Sequence, residues 1–184
     1  MLKEKPGEHM ATIVLDAGHG GSDSGAVYGN RAEKDDVLAL TLAVGEILEQ
    51  NGVSVIYTRT EDIYETPAQK AAEANAANAD YFVSIHRNST PVPNSYSGVE
   101  TLVYNRYGEA YDLAVNINEQ LNRIGMNNLG INERKNLVVL RRTSIPAVLL
   151  EIGYINTDTD NAFFDARFDD IANAIAQGIL ETIG

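Results

Sequence analysis

Short apolar runs alternate along this chain with longer stretches in which apolar residues recur every three or four positions. Thr12 to Asp16 (TIVLD), Val53 to Thr58 (VSVIYT), Tyr81 to His86 (YFVSIH), Leu137 to Arg142 (LVVLRR) and Pro146 to Ile155 (PAVLLEIGYI) are runs of the first kind. Brief apolar stretches bounded by Gly, Pro and Asn have the pattern of strands buried on both faces. Gly98 to Asn105 (GVETLVYN) alternates more, and is expected at a sheet edge. Between the strands the period changes. Val37, Leu40, Val44 and Ile47 lie on one helical stripe, which predicts a helix from about Glu33 to Gln50, stopped by Asn51-Gly52. Thr66-Pro67 starts a second helix, with Thr as cap and Pro in the first turn, running through the alanines to Ala79. Gly108 to Ile124 forms a third, and Ile171, Ile175, Ile179 and Ile183 make one face of a closing helix.

Strands alternating with helices predict a three-layer α/β/α single domain with a mostly parallel six-stranded sheet. In such sheets, sites form outside the carboxyl ends of the strands. Glu151 conflicts with its surroundings, because it falls in the middle of PAVLLEIGYI. Glutamate is rarely buried without a partner, and that run contains none. Asp16 with His19 follows the first strand, and His86 ends the third.

The composition narrows what the site can be. The 184 residues, 44% hydrophobic, are enough for one domain with a sizeable core. No apolar run is long enough to span a membrane, and MLKEKPGEHM lacks the apolar stretch of a signal peptide. Residues 1–10 are expected to be a leader, tag or linker before a domain covering 11–184. A formal net charge of −12 argues against nucleic acid, whose phosphates need clustered Lys and Arg. With no cysteine, thiolate nucleophiles and Cys-ligated zinc are excluded. A metal site here must use His, Asp and Glu.

Of three histidines, His9 has no chemical company, His19 lies in DAGHGG, and His86 is followed by Arg87, Asn88 and Ser89. Glu33 begins the helix that the glycine-dense loop AGHGGSDSGAVYGN feeds into. Two His and one acid with an open fourth position make a catalytic zinc pattern, and His19, Glu33 and His86 fit it. Each residue alone has a plainer reading: a hydrogen-bonded strand-end His, a carboxylate at a helix N-terminus, a phosphate-cradling loop. The loop carries neither a P-loop Lys-Ser/Thr nor a clean GxGxxG. With Glu151 the set becomes coherent, since a buried glutamate beside a metal has a partner and a task.

The segments IVLDAGHGG, VIYTR, FVSIH followed by Asn88, SGVET and PAVLLEIGYI resemble, in order and over almost the whole chain, the zinc-dependent N-acetylmuramoyl-L-alanine amidases of the type-3 family. The resemblance implies zinc held by His19, Glu33 and His86, with Glu151 as the catalytic acid–base. It also implies peptidoglycan (muramoyl peptides) as the substrate, hydrolysis of the amide between N-acetylmuramic acid and L-alanine, and autolysin-like action outside the cytoplasm. A monomeric catalytic domain of a longer protein is expected. Arg87 and Lys70 depart from the family pattern. Arg87, placed beside the proposed metal, either tunes substrate preference or is a solvated loop residue. Asp16 either orients a ligating histidine or bonds the turn backbone. Arg59, Arg141 and Arg142 are candidates for stem-peptide carboxylates, with structural or surface pairing as the default. Two other functions share parts of this pattern: a zinc peptidase acting on cell-wall peptides, and a wall-binding domain without catalysis.

Overall fold

The structure, a computed structural model, describes residues 10–184. The expected leader therefore lies outside the described residues except for Met10. From the N-terminus, β1 (Thr12–Ala17) leads into the glycine loop and a two-rung hairpin, β2 (Val27–Tyr28) and β3 (Arg31–Ala32). Next come α1 (Glu33–Gln50), β4 (Ser54–Tyr57), α2 (Pro67–Ala76), β5 (Tyr81–Asn88), β6 (Val99–Val103) and α3 (Glu109–Arg123). The chain closes with β7 (Asn128–Glu133), α4 (Val138–Arg142), β8 (Ala147–Tyr154), α5 (Asp158–Ala166) and α6 (Phe168–Ile183).

The main sheet has six strands in the order β4-β1-β5-β8-β6-β7. Every pairing is parallel except that of β6 with β8. The expected mostly parallel six-stranded sheet is present, but one strand is exchanged. LVVLRR folds as the short helix α4, packed on α2, and NLGINE supplies the sixth strand instead. Gly98–Asn105 is consequently not the edge: β6 is second from the end and β7 covers it.

Local chemistry explains the well-predicted helices. The hydroxyl of Thr66 accepts from the Gln69 N–H, and the Gln69 side chain accepts from the Thr66 N–H, so α2 starts in a reciprocal capping box. The N-cap position of α1 is Ala32, which offers no side-chain cap. The glycine loop caps it with backbone carbonyls: Ala26 accepts from Glu33 N–H, and Ser24 from Lys34 N–H. Loop and helix start are therefore fastened together, and that fixes where Glu33 stands.

The sheet has two unequal faces. On one, Ile13, Leu15, Val83, Ile85, Val148, Leu150 and Ile152 pack against the apolar stripes of α1, α3 and α6 as the main core. On the other, Val14, Phe82, Leu102, Ala147 and Leu149 meet the smaller α2 and α4. Because strand side chains alternate between faces, residues paired across parallel strands point the same way. Asp16, Ser84 and Leu149 share the α2/α4 face, and two positions further on so do His86, Glu151 and Glu100.

Candidate active site

Three side chains meet beyond the carboxyl end of β1 and β5. His19 Nε2 lies 3.1 Å from Glu33 Oε1, and His86 Nδ1 lies 3.0 Å from the same oxygen. Among the described residues, His19, Glu33 and His86 form the group whose donor atoms all fall within 4.8 Å of one another. Donors about 3 Å apart are what a cation with bonds of about 2.0–2.1 Å requires. Two imidazoles and a carboxylate are also an ordinary zinc donor set, so the residues fit a divalent cation. His86 Nδ1, rather than the more remote ring nitrogen, faces the centre.

The surroundings hold each donor in place. Glu33 is 4% exposed. Its Oε1 accepts from the Arg87 N–H and its Oε2 from the Ala26 N–H. Burial pushes the Glu33 carboxyl up, but hydrogen bonds and charge from His19 and His86 hold it well below the usual carboxylate range. Burial lowers His19; Glu33 and Asp23 outweigh that and raise it to about 9. The other His19 nitrogen, Nδ1, is 2.9 Å from Asp23 Oδ2, the arrangement by which a carboxylate fixes the ring of a metal ligand.

Backbone sterics explain the glycines. A Cβ on Gly18 would lie 2.3 Å from the His86 ring. Gly25 has φ +64, and a Cβ there would meet Glu33 Oε2 and the His19 ring at 2.6 Å. His19 itself sits at φ +59, an uncommon conformation for a residue with a Cβ that is found where surroundings over-determine it.

Glu151 stands on β8 directly opposite His86 on β5 and Glu100 on β6. Its Oε2 is buried without a hydrogen-bond partner. Burial raises its pKa to about 7, with Glu33 and Glu100 adding to the rise and His86 and His19 opposing it. The conflict posed by a glutamate in an apolar strand is resolved by position. Glu151 lies where β8 emerges past the small core, beside the donor cluster.

The family model for N-acetylmuramoyl-L-alanine amidases matches residues 13–181. The chain belongs to that amidase family. It is 37% identical over 182 residues to an endolysin of Bacillus phage SPP1, covering 95% of this chain and 67% of that protein. It is 30% identical over 189 residues to the germination-specific N-acetylmuramoyl-L-alanine amidase of Bacillus subtilis (strain 168), covering 91% and 78%. The crystal structure of an N-acetylmuramoyl-L-alanine amidase from Clostridium difficile 630 superposes with a TM-score of 0.88 at 31% identity, covering 95% of this chain and 97% of that one.

Within this amidase, several residues named from the sequence do other work. Asp16 neither orients a histidine nor bonds the turn backbone. It accepts from Thr58 and Lys70 at Oδ1 and from Ser84 at Oδ2. Arg87 neither faces the metal site nor is solvated. Alternation turns it to the opposite face from His86, where it donates to Asp36 and Ile152 O and lies 4.4 Å over the Phe164 ring. Arg59 is 2% exposed and donates to the carbonyls of Ala17, Gly18, Lys34 and Glu61. It braces the glycine loop, with its guanidinium taken up by backbone carbonyls. Arg141 and Arg142 are exposed on α4. Asn88 donates to Glu100 and accepts from the Ser89 N–H, so it shapes the loop.

Sequence reasoning missed Asp23 and Glu100. Asp23 could have been found as the acid four residues after a histidine in one loop. Glu100 needed the β6–β8 register, which no pattern in SGVET reveals.

Proposed function

We propose that this chain hydrolyses the amide bond between N-acetylmuramic acid and L-alanine in peptidoglycan, with a zinc ion held by His19, Glu33 and His86 and with Glu151 as the catalytic acid–base. The observation carrying this reading is the partnerless Glu151 carboxylate in register with a convergent His–Glu–His donor set. Residues 11–184 would be the catalytic unit, acting outside the cytoplasm on the wall, as a monomer and as part of a longer protein. Among the described residues no helix is long and apolar enough to cross a membrane.

When bound, a divalent cation at this donor set supplies polarisation of the scissile carbonyl and acidification of water. The protein's own groups do the rest. Glu33 and Asp23 keep the His19 ring oriented. The Glu151 carboxylate accepts a proton from the attacking water and returns it to the alanine nitrogen as the C–N bond breaks, leaving a free amine and a carboxylic acid that gives up its proton to solvent. A carboxyl that takes and gives a proton near neutral pH works best with a pKa close to 7, and burial on β8 moves Glu151 there.

Digestion of purified peptidoglycan tests the reading. New L-alanine amino termini on intact stems, with no new reducing sugar ends, are expected; release of terminal D-alanine alone points to a peptidase instead. Glu151→Ala is expected to keep its zinc by elemental analysis and lose at least about 10²-fold in rate. A wild-type-like rate in that variant removes Glu151 from the mechanism.

A further inference from the structure

Arg87 follows His86 on β5, yet its side chain is wholly buried on the other face of the sheet. Bonds leave this residue toward three places. Its N–H donates to Glu33 Oε1 at 3.0 Å. Its Nη1 donates to Asp36 Oδ2 at 2.6 Å, in the same first turn of α1 as Glu33. Its Nε donates at 3.1 Å to the carbonyl of Ile152, the residue after Glu151 on β8. That last bond falls at an irregularity in the sheet. While β5 advances from His86 to Asn88, β8 advances from Glu151 to Tyr154, one residue more. The extra residue makes a bulge, and Gly153 turns it at φ +70. Bulges re-aim the side chains beside them, and here the neighbour is Glu151.

Stability alone does not account for an arginine at this place. Its Nη2 is buried without a hydrogen-bond partner, and a buried cation with an orphaned N–H is less favourable than an apolar chain of similar size. Asp36 does not depend on it, because Arg31 Nε reaches the same Oδ2 at 2.7 Å. Arg31 is held in turn by Asp165 on α5. The Phe164 ring, 4.4 Å from the Arg87 guanidinium, would also take an apolar neighbour.

We propose that Arg87 is a positioning residue, a strap on the far face of the sheet that sets the spacing between Glu33 and Glu151 by tying the first turn of α1 to the β8 bulge. The proposal rests on the zinc amidase reading above and deepens it by naming what holds metal ligand and proton carrier in register. Arg87 touches neither the donor cluster's open side nor a substrate; it acts through the backbone of β8 and the helix turn that carries Glu33. A guanidinium suits the task because Nε and Nη1 are separate donors at a fixed angle. With one on Ile152 and the other on Asp36, α1 and β8 cannot slide past each other without breaking a bond. A lysine ammonium is a point charge on a flexible stem and lacks that fork. Loosening such a support by a fraction of an ångström weakens metal binding and slows the chemical step more than it weakens substrate binding.

The test compares Arg87→Met and Arg87→Lys with the parent, each as the full chain. In chelator-treated protein both variants are expected to keep a urea midpoint close to the parent's. Zinc affinity, measured by competition with a chromogenic chelator, should fall about 10–100-fold in both. On a soluble N-acetylmuramoyl dipeptide, kcat should fall at least about tenfold while KM stays within about twofold. Without metal or substrate, hydrogen exchange of the amides at positions 87 and 153 should quicken at least about tenfold, while those of Val83 and Val148 on the same strands keep the parent's rates. That local readout supports the strap even if the parent hydrolyses no muramoyl amide, an outcome that removes only the amidase reading. Arg87→Lys keeps a cation beside Asp36, so it decides the matter even if Arg87→Met folds poorly. Parental zinc affinity and kcat in Arg87→Lys would mean that charge, and not the fork, is what this position supplies. Faster exchange throughout the sheet with a lowered urea midpoint in both variants would make Arg87 an ordinary core residue. Either result overturns the proposal.

Discussion

Glu151 puts a titratable group under unusual constraint, and its proton can be followed through stability. Its folded pKa, about 7, stands above the ordinary 4.5 because burial disfavours the charged form. A raised carboxyl favours folding while it holds its proton. That contribution is full below pH 4.5, where both states are protonated, and is lost as pH rises through about 7. In chelator-treated protein, Glu151→Gln should therefore be more stable than the parent by about 2–3 kcal/mol at pH 8. The gap should close below pH 4.5 in denaturant titrations. A gap that does not change with pH would mean the carboxylate is already satisfied when charged. Restoring the cation should shrink the gap at pH 8, because a nearby positive charge favours the ionised form. The sequence made the identity of this residue legible, since one acid in an apolar run has few explanations.

At the scale of elements, α2 is joined to the end of β1 by one buried ion pair. Lys70, 3% exposed, reaches Asp16, 1% exposed, at 2.6 Å. Burial pushes the Asp16 carboxyl up, and Lys70 with Ser84 overcomes that to hold it low. Removing one partner of such a pair leaves an uncompensated buried charge. Lys70→Met is expected to destabilise by about 3–5 kcal/mol in urea unfolding. Adding Asp16→Asn should recover a large part, and independent losses that simply add would refute the pairing as the cause. Helices with caps or strong stripes, α1, α2 and α6, were readable because their signals are local. LVVLRR was misread because six apolar and basic residues are too few to show a period, and its docking on α2 decides for helix. NLGINE was missed for the opposite reason. Its asparagines and glycine disfavour a strand, yet pairing with β6 satisfies its backbone at the edge.

For the whole molecule, the donor cluster joins the loop after β1, the start of α1 and the end of β5, so occupancy by a cation should register as global stability. At about 100 times the dissociation constant, binding adds about 2.7 kcal/mol, or roughly 5–10 °C in Tm for a domain of this size. Zinc is expected to give that shift in the parent and none in His19→Ala, and the shift should weaken at lower pH as the ligands take up protons. An identical shift in both proteins would place the ion elsewhere. The sequence by itself determined the α/β class, the four residues proposed for metal and proton, and the glycines around them. The class and the glycine loop depend on short-range order along the chain, whereas the four residues stand in separated motifs and take their roles from the family resemblance those motifs carry. Which face each strand residue occupies was decided only in three dimensions. Alternation sent Arg87 to the main core while His86 faced the site, strand pairing brought Glu100 beside Glu151, and docking on α2 made a helix of residues 138–142. Those outcomes depend on register and packing between segments far apart in the chain, and no local pattern encodes them.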